Sequence, residues 1–291
     1  MKIIYKLLFL FLLTIGYSSC DFLDIVPDEI TTEADAFKDR NAAKNFVYSC
    51  YGYLPQSNVA SGSLDLLTGD EVITAFEHET FASFPKGNYT ASSPVISYWN
   101  TFFQGLRQCY IFLENVDKVP DLTESVKTDY IAQVKFLIAY YHYQLARCYG
   151  PIILIKELPD VNASQAEYLP RTSYDECVDW ICNLLDEAAS SLPAIRTNKE
   201  DYGLATSVGA KAVKAKMLLY AASPLFNGNS SFYSNFTDKS GSQLMPLTYD
   251  PNKWVKAKTA IKEAIDLAEQ NGHALYVKQD YKIGNEDANP Y

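Results

Sequence analysis

The stretch 135–151, KFLIAYYHYQLARCYGP, limits the fold more than any other feature of this sequence. With Tyr130 and Val134 ahead of it, it places Leu137, Tyr141, Leu145 and Cys148 at intervals of three and four, the spacing of one face of an α-helix. Gly150-Pro151 then stops the helix, since proline has no amide to continue the ladder. Such a stripe predicts a buried helix, with 136–149 as the centre of the scaffold. Its neighbours must be elements able to cover it.

Those neighbours carry the same period. Trp99, Phe102, Phe103, Leu106, Tyr110 and Leu113 predict one helix, and 33–53 predicts an earlier one. Ile152 to Ile155 reads as a brief extended run. Ser173-Tyr174-Asp175-Glu176 has the form of a capping box, followed by a buried stripe of Tyr174, Val178, Ile181 and Leu185. A helix over 207–222 keeps one side small through Ala210, Ala212, Ala215, Ala221 and Ala222, so that a neighbour can approach closely. Asp250-Pro251 opens a last helix, with aspartate as N-cap and proline at the first helical position. Its Trp254, Ala257, Ile261, Ile265 and Leu267 form the inward stripe, while Lys253, Lys256, Lys258 and Lys262 solvate the outside.

Helices starting near 173 and 207 lie 34 residues apart, the period of a tetratricopeptide helix pair. No run of alternating strands competes. The predicted class is all-α: a tetratricopeptide-like superhelix of helical pairs with long irregular loops. Those loops, 57–97 and 224–249, hold Phe76, Phe81, Phe84, Tyr89, Phe226, Phe232, Tyr233 and Phe236, aromatics that no periodic face requires.

The first residues belong to a different problem. Lys2 and Lys6 precede an apolar run from Leu7 to Leu13, continued at Ile15, and then come Ser18, Ser19 and Cys20. A spanning helix needs about 20 apolar residues, so 1–19 reads as a cleaved export signal. Small residues ahead of a cysteine form a loose bacterial lipoprotein signal, in which Cys20 is lipidated and becomes the mature N-terminus. Tyr17 departs from the leucine of stricter versions, and a core cysteine behind the leader is the alternative. Residues 20–32, with Asp21, Asp24, Asp28 and Glu29, are then a tether, and 33–291 the helical domain.

The chain has 25 Lys and Arg against 35 Asp and Glu, a net charge of −10. Losing Lys2 and Lys6 with the leader takes it to −12, which repels phosphate backbones and argues against nucleic acid. Cys50, Cys109, Cys148, Cys177 and Cys182 read as small buried apolar residues. Cys177 and Cys182 sit about 8 Å apart on one helix, beyond disulfide reach.

Several blocks together are similar to one family. They are Cys20-Asp21-Phe22-Leu23-Asp24-Ile25-Val26-Pro27, the stretch 99–115, the stretch 135–151, Pro170-Arg171-Thr172-Ser173 with Glu176 and Leu192-Pro193, and the stretches 210–224 and 254–264. In that order they resemble the SusD/RagB nutrient-uptake outer-membrane lipoproteins of Bacteroidetes-type bacteria. The resemblance implies a tetratricopeptide-like scaffold, lipid-anchored at the cell surface on the outer membrane. It would capture a nutrient and deliver it to a SusC-like TonB-dependent transporter. The ligand is an oligosaccharide in the best-known branch and a peptide in others. Family members run about twice this length, so the resemblance also implies a truncated member, and a structural adaptor that contacts the transporter without ligand is the alternative function.

Chemistry-bearing motifs are sparse. There is no GxSxG, P-loop or GxGxxG, and His78-Glu79-Thr80-Phe81-Ala82 begins like HExxH but has Ala82 where the second ligand belongs. His142, inside the 140–143 aromatic cluster, reads as a core histidine. The expectation is a binding protein with no catalytic residue, cofactor or metal. Its candidate ligand residues are Asp70, which matches an acidic family position, then Glu71 and Tyr89 of the 57–97 loop, and Trp99 and Asn100 where the next helix opens. Two readings stand for Trp99: core packing, which its stripe favours, and stacking on a ligand.

Overall fold

Most helices form where the local signals place them. The computed structural model describes residues 33–55, 69, 80–160, 162 and 169–275. Helices α1 (Glu33–Ala36) and α2 (Arg40–Tyr51) come first, then α3 (Trp99–Asn115) and α4 (Glu124–Tyr149). After these follow α5 (Tyr174–Ser191), α6 (Ser207–Ala222), the short α7 (Ser230–Tyr233) and α8 (Asn252–Gln270). Among the described residues there is no strand, only an isolated bridge between Thr237 and Gln243. No helix among them is long and apolar enough to cross a membrane.

The helices pack in chain order, α3 on α4, α4 on α5, α5 on α6 and α6 on α8, as helical pairs require. Helices α5 and α6 therefore belong to one packed pair. The 34-residue interval measures the offset between partners and is not a repeat period.

Helix α4 is the centre. The Thr123 hydroxyl accepts from the Val126 amide at 3.4 Å at its start, and Gly150, at φ 71°, turns the chain away at its end. Leu137, Ile138, Ala139 and every residue from Tyr141 to Ala146 are buried, so the helix is enclosed around its circumference. His142 shows what this demands. Its Nδ1 donates to the Ile138 carbonyl at 2.8 Å, which leaves Nε2 to accept the Ile155 amide at 3.1 Å. Its ring stands edge-on to Trp180, with centroids 4.8 Å apart. Burial pushes its pKa down to about 4. The Ile155 carbonyl accepts from the Tyr110 hydroxyl of α3 at 2.5 Å. The extended run 152–155 is thus joined to both α3 and α4.

Some expectations are corrected. The helix over 33–53 is split, because Asp39 is extended and its carboxylate caps α2 through the Ala42 amide at 2.8 Å. Ser173 stands at the N-cap of α5 but its hydroxyl makes no cap bond. The Tyr174 amide donates to the Leu244 carbonyl at 2.8 Å, and Glu176, the other half of the expected box, lies 3.9 Å from Lys156. Asp250 does cap α8, accepting from the Asn252 amide at 2.9 Å, one residue later than expected, with Pro251 at the N-cap position. Ala212 and Cys148 are exposed, whereas Cys50, Cys109, Cys177 and Cys182 are buried.

The largest correction concerns α8. Its inward face is Ala257, Ala260 and Ala264, with Ala260 and Ala264 packed against Ala215 of α6. Small residues on both helices draw the backbones together; Ala257 and the part-buried Ile261 of the expected stripe stay on this side, while Trp254 and Ile265 are turned outward. Trp254 and Ile265 are 41% and 51% exposed and line an open groove with Leu219 and Ile261.

Two measurements check this fold. Leu137→Ala should cost about 2 to 5 kcal/mol, whereas Ile265→Ala should cost less than about 1 kcal/mol, in denaturant melts. The second is acid sensitivity. An unfolded histidine protonates near pH 6.5 and the folded His142 only near 4, so between these values the unfolded chain holds the extra proton. This contribution to stability is complete above about pH 6.5 and declines by roughly 3 kcal/mol as pH falls toward 4. His142→Gln should flatten the pH dependence of stability in that window.

Candidate functional site

The first amides of any helix lack intrahelical acceptors. At the start of α3 the residue in the N-cap position is Tyr98, whose side chain makes no cap bond. Its role is taken by a residue far along the chain. The Tyr149 hydroxyl, at the last turn of α4, accepts from the Tyr98 amide at 2.9 Å and the Trp99 amide at 3.2 Å. The opening of α3 is therefore fixed to the end of the most buried helix.

This cap also places the Trp99 ring. Phe103, one turn along, lies 4.9 Å away between centroids, and Tyr149 meets the indole edge-on at 5.2 Å. The Arg171 guanidinium sits 5.5 Å from the indole centroid, a cation–π distance. Arg171 is itself anchored, donating to the Pro151 carbonyl at 2.9 Å and to that of Tyr149 at 3.4 Å. Tyr98 stacks on Phe102 at 5.0 Å, and Phe102 on Tyr141 at 5.7 Å, so a column of rings runs from this surface into the core.

Trp99 is half-buried, while Asn100 and Arg171 are exposed. Core packing thus accounts for most of the Trp99 ring, and part of it stays open near the Arg171 guanidinium, with exposed Asn100 at the next position of the helix. That combination suits a sugar: a partly open aromatic ring can meet the apolar face of a pyranose while amide and guanidinium groups take its hydroxyls. Tyr89 is 50% exposed and meets Phe84 at 5.4 Å. Among the described residues no ring contact joins that pair to the Trp99 group. Cys20, Asp70, Glu71 and His78 lie outside the described residues. Of the aromatics in the 224–249 loop, Phe226, Tyr233 and Phe236 pack on the core, whereas Phe232 and Tyr249 are 72% and 57% exposed. Among the described residues, no three His, Cys, Asp or Glu side chains gather as a metal site would need.

Tyr149 and Arg171 were not among the residues that periodicity singled out. Tyr149 follows the last position of the α4 stripe, and Arg171 lies in a non-helical segment, so each acquires its role only through tertiary contact.

Fold and site together define a helical-pair scaffold with an aromatic and polar patch at the start of α3. A family model, SusD-like_3, described as "Starch-binding associating with outer membrane", matches residues 21–219, and the chain belongs to this SusD-like family. SusD-like protein P25 of Formosa agariphila is 23% identical over 230 residues, covering 75% of this chain and 43% of its own length. The solved structure of BT4246 superposes with a TM-score of 0.73 at 36% identity, covering 81% of this chain and 41% of that one. A laminarin-binding SusD-like protein shares the fold at a TM-score of 0.52 and 23% identity, covering 64% of this chain and 41% of its own. The chain spans less than half the length of these relatives.

Tyr149→Phe removes one acceptor serving two amides and should cost about 1 kcal/mol. Faster hydrogen exchange at the Tyr98 and Trp99 amides, with α8 unchanged, is the expected local signature.

Proposed function

We propose that this chain is a non-catalytic, cell-surface glycan-binding lipoprotein that presents an oligosaccharide to a SusC-like TonB-dependent outer-membrane transporter. The observation that carries the glycan reading is the open part of Trp99 beside exposed Asn100 and Arg171, at a helix start fixed to the core. The description of the matching family as starch-binding supports the same class of ligand. In this reading Cys20 carries the lipid, 1–19 is the cleaved signal, and 20–32 tethers 33–291 to the outer membrane. Asp70 and Glu71, from the loop ahead of α3, supply carboxylates for sugar hydroxyls, and Tyr89 adds a second ring. Transfer to a transporter is the expected use of such a protein, because a lipid-anchored binder cannot itself move a solute across the membrane.

One observation favours a second reading, the structural adaptor. The groove along α6 and α8, with Leu219, Trp254, Ile261 and Ile265, has a volume of about 480 Å³ and is apolar enough to meet another protein.

Titration of the purified chain with starch-derived and laminarin-derived oligosaccharides, followed by calorimetry, distinguishes the readings. A single partly open ring with few polar neighbours offers few contacts against the cost of association, so affinity near the millimolar range is expected. Trp99→Ala and Asn100→Ala should each weaken binding by about tenfold, while Trp254→Ala leaves it unchanged. Binding that ignores Trp99 and Asn100, or no binding to any glycan, would contradict the glycan reading.

A further inference from the structure

Helices α2 and α3 run antiparallel in close contact, and their facing residues can be read off as a ladder. At one rung is Gly105: a Cβ placed there would lie 3.0 Å from Tyr53 Cβ and 3.0 Å from the Tyr141 ring. A larger residue would press on both side chains at this approach. Two turns along α3 and back along the chain toward α2, the Phe46 and Phe112 rings meet at 6.3 Å. Between these rungs, one turn from each, stand Cys50 on α2 and Cys109 on α3. Both are 0% exposed, both are unbonded in this structure, and the Cys109 side chain interacts with the Cys50 thiol. Burial and this contact hold the Cys109 thiol well above the ordinary thiol range.

We infer that Cys50 and Cys109 are a disulfide site, closed when the chain folds in an oxidising compartment. The glycine-mediated approach of the two helices brings the chains near enough for the short bridge a disulfide needs. A protonated, enclosed thiol is a poor nucleophile, so the bond must form before α2 closes over α3. One thiolate attacks the disulfide of an oxidant such as oxidised glutathione, releasing one thiol and leaving a mixed disulfide. The second thiolate attacks that sulfur and releases the second thiol. Two protons and two electrons leave the protein, and the oxidant is reduced to two thiols. The bond would close a loop of about 60 residues, where a cross-link restricts the unfolded chain strongly. Of the other described cysteines, Cys148 is exposed, and Cys177 directs its Sγ to the Ile152 and Thr172 carbonyls.

The site rests on helix geometry alone, and only its use in the cell rests on the exported reading. The test is therefore made in two preparations. The full chain is refolded from denaturant in reduced and oxidised glutathione, and separately recovered from a bacterial periplasm; free thiols are then alkylated in denaturant without reductant and the peptides mapped. The expected result is a linked pair of peptides containing Cys50 and Cys109. The oxidised protein should melt at least about 5 °C above its reduced form, a difference absent in Cys50→Ala. Alkylated thiols at both positions in both preparations, linkage of either cysteine to another one, or a lower melting point in the bonded form would overturn the inference. Because the mapping reads wild-type chain, it does not depend on a variant folding.

Discussion

A helix enclosed over most of its length has to find protein partners for the polar atoms it buries, and α4 is such a helix. Its buried residues run through Leu137, Ile138, Ala139 and all of 141–146. Unpaired donors or acceptors there would cost about as much as several surface contacts contribute. Several polar side chains on α4 have therefore become joints, although Tyr143 Oη and Gln144 Oε1 are buried without a hydrogen-bond partner. Tyr141 donates to the Cys50 carbonyl and holds the end of α2. His142 holds the 152–155 run, and Tyr149 caps α3. Lower on the helix, Asp129 takes both terminal nitrogens of Arg196, at 2.9 and 2.8 Å, and the Gln133 amide at 2.8 Å. Gln133 in turn accepts from Tyr51, whose hydroxyl accepts the Ala205 amide. One helix thereby sets the position of α2, α3 and the segments that lead into α5 and α6.

This explains which parts of the fold were legible in the sequence. Periodicity found α3, α4, α5 and α6 because their apolar stripes are wide and their stop signals firm, as at Gly150-Pro151. The inward face of α8 was misread for a physical reason: the expected stripe of Trp254, Ala257, Ile261, Ile265 and Leu267 shares only Ala257 with the observed buried face of Ala257, Ala260 and Ala264, and size favoured the first. Close approach to Ala215 favoured the second. The capping box at Ser173 does not form: its hydroxyl makes no cap bond, and Glu176 lies 3.9 Å from Lys156, a residue of the preceding segment. Sequence proximity cannot disclose such a competitor.

The candidate site divides in the same way. Trp99 and Asn100 could be singled out because they open a helix after a long aromatic segment, with the stripe favouring core packing of the indole over ligand stacking. The structure makes it do the first over most of its area. What positions it, the Tyr149 hydroxyl and the Arg171 guanidinium, is invisible without tertiary contacts. Membership of the SusD-like family connects this patch to a class of ligand, and the column Tyr98, Phe102 and Tyr141 connects it to the core. A surface built this way is preorganised, which lowers the ordering cost when a ligand arrives.

The claim that carries the rest is that α4 is the most stable element and that the others are secured to it. Native-state hydrogen exchange followed residue by residue tests it directly. The slowest amides should be those of 137–146, with the Ile155 amide, which His142 accepts, among the slowest outside a helix. Helix α8, with only three buried alanines, should open first. Exchange in α4 as fast as in α8, or an unprotected Ile155 amide, would contradict the claim.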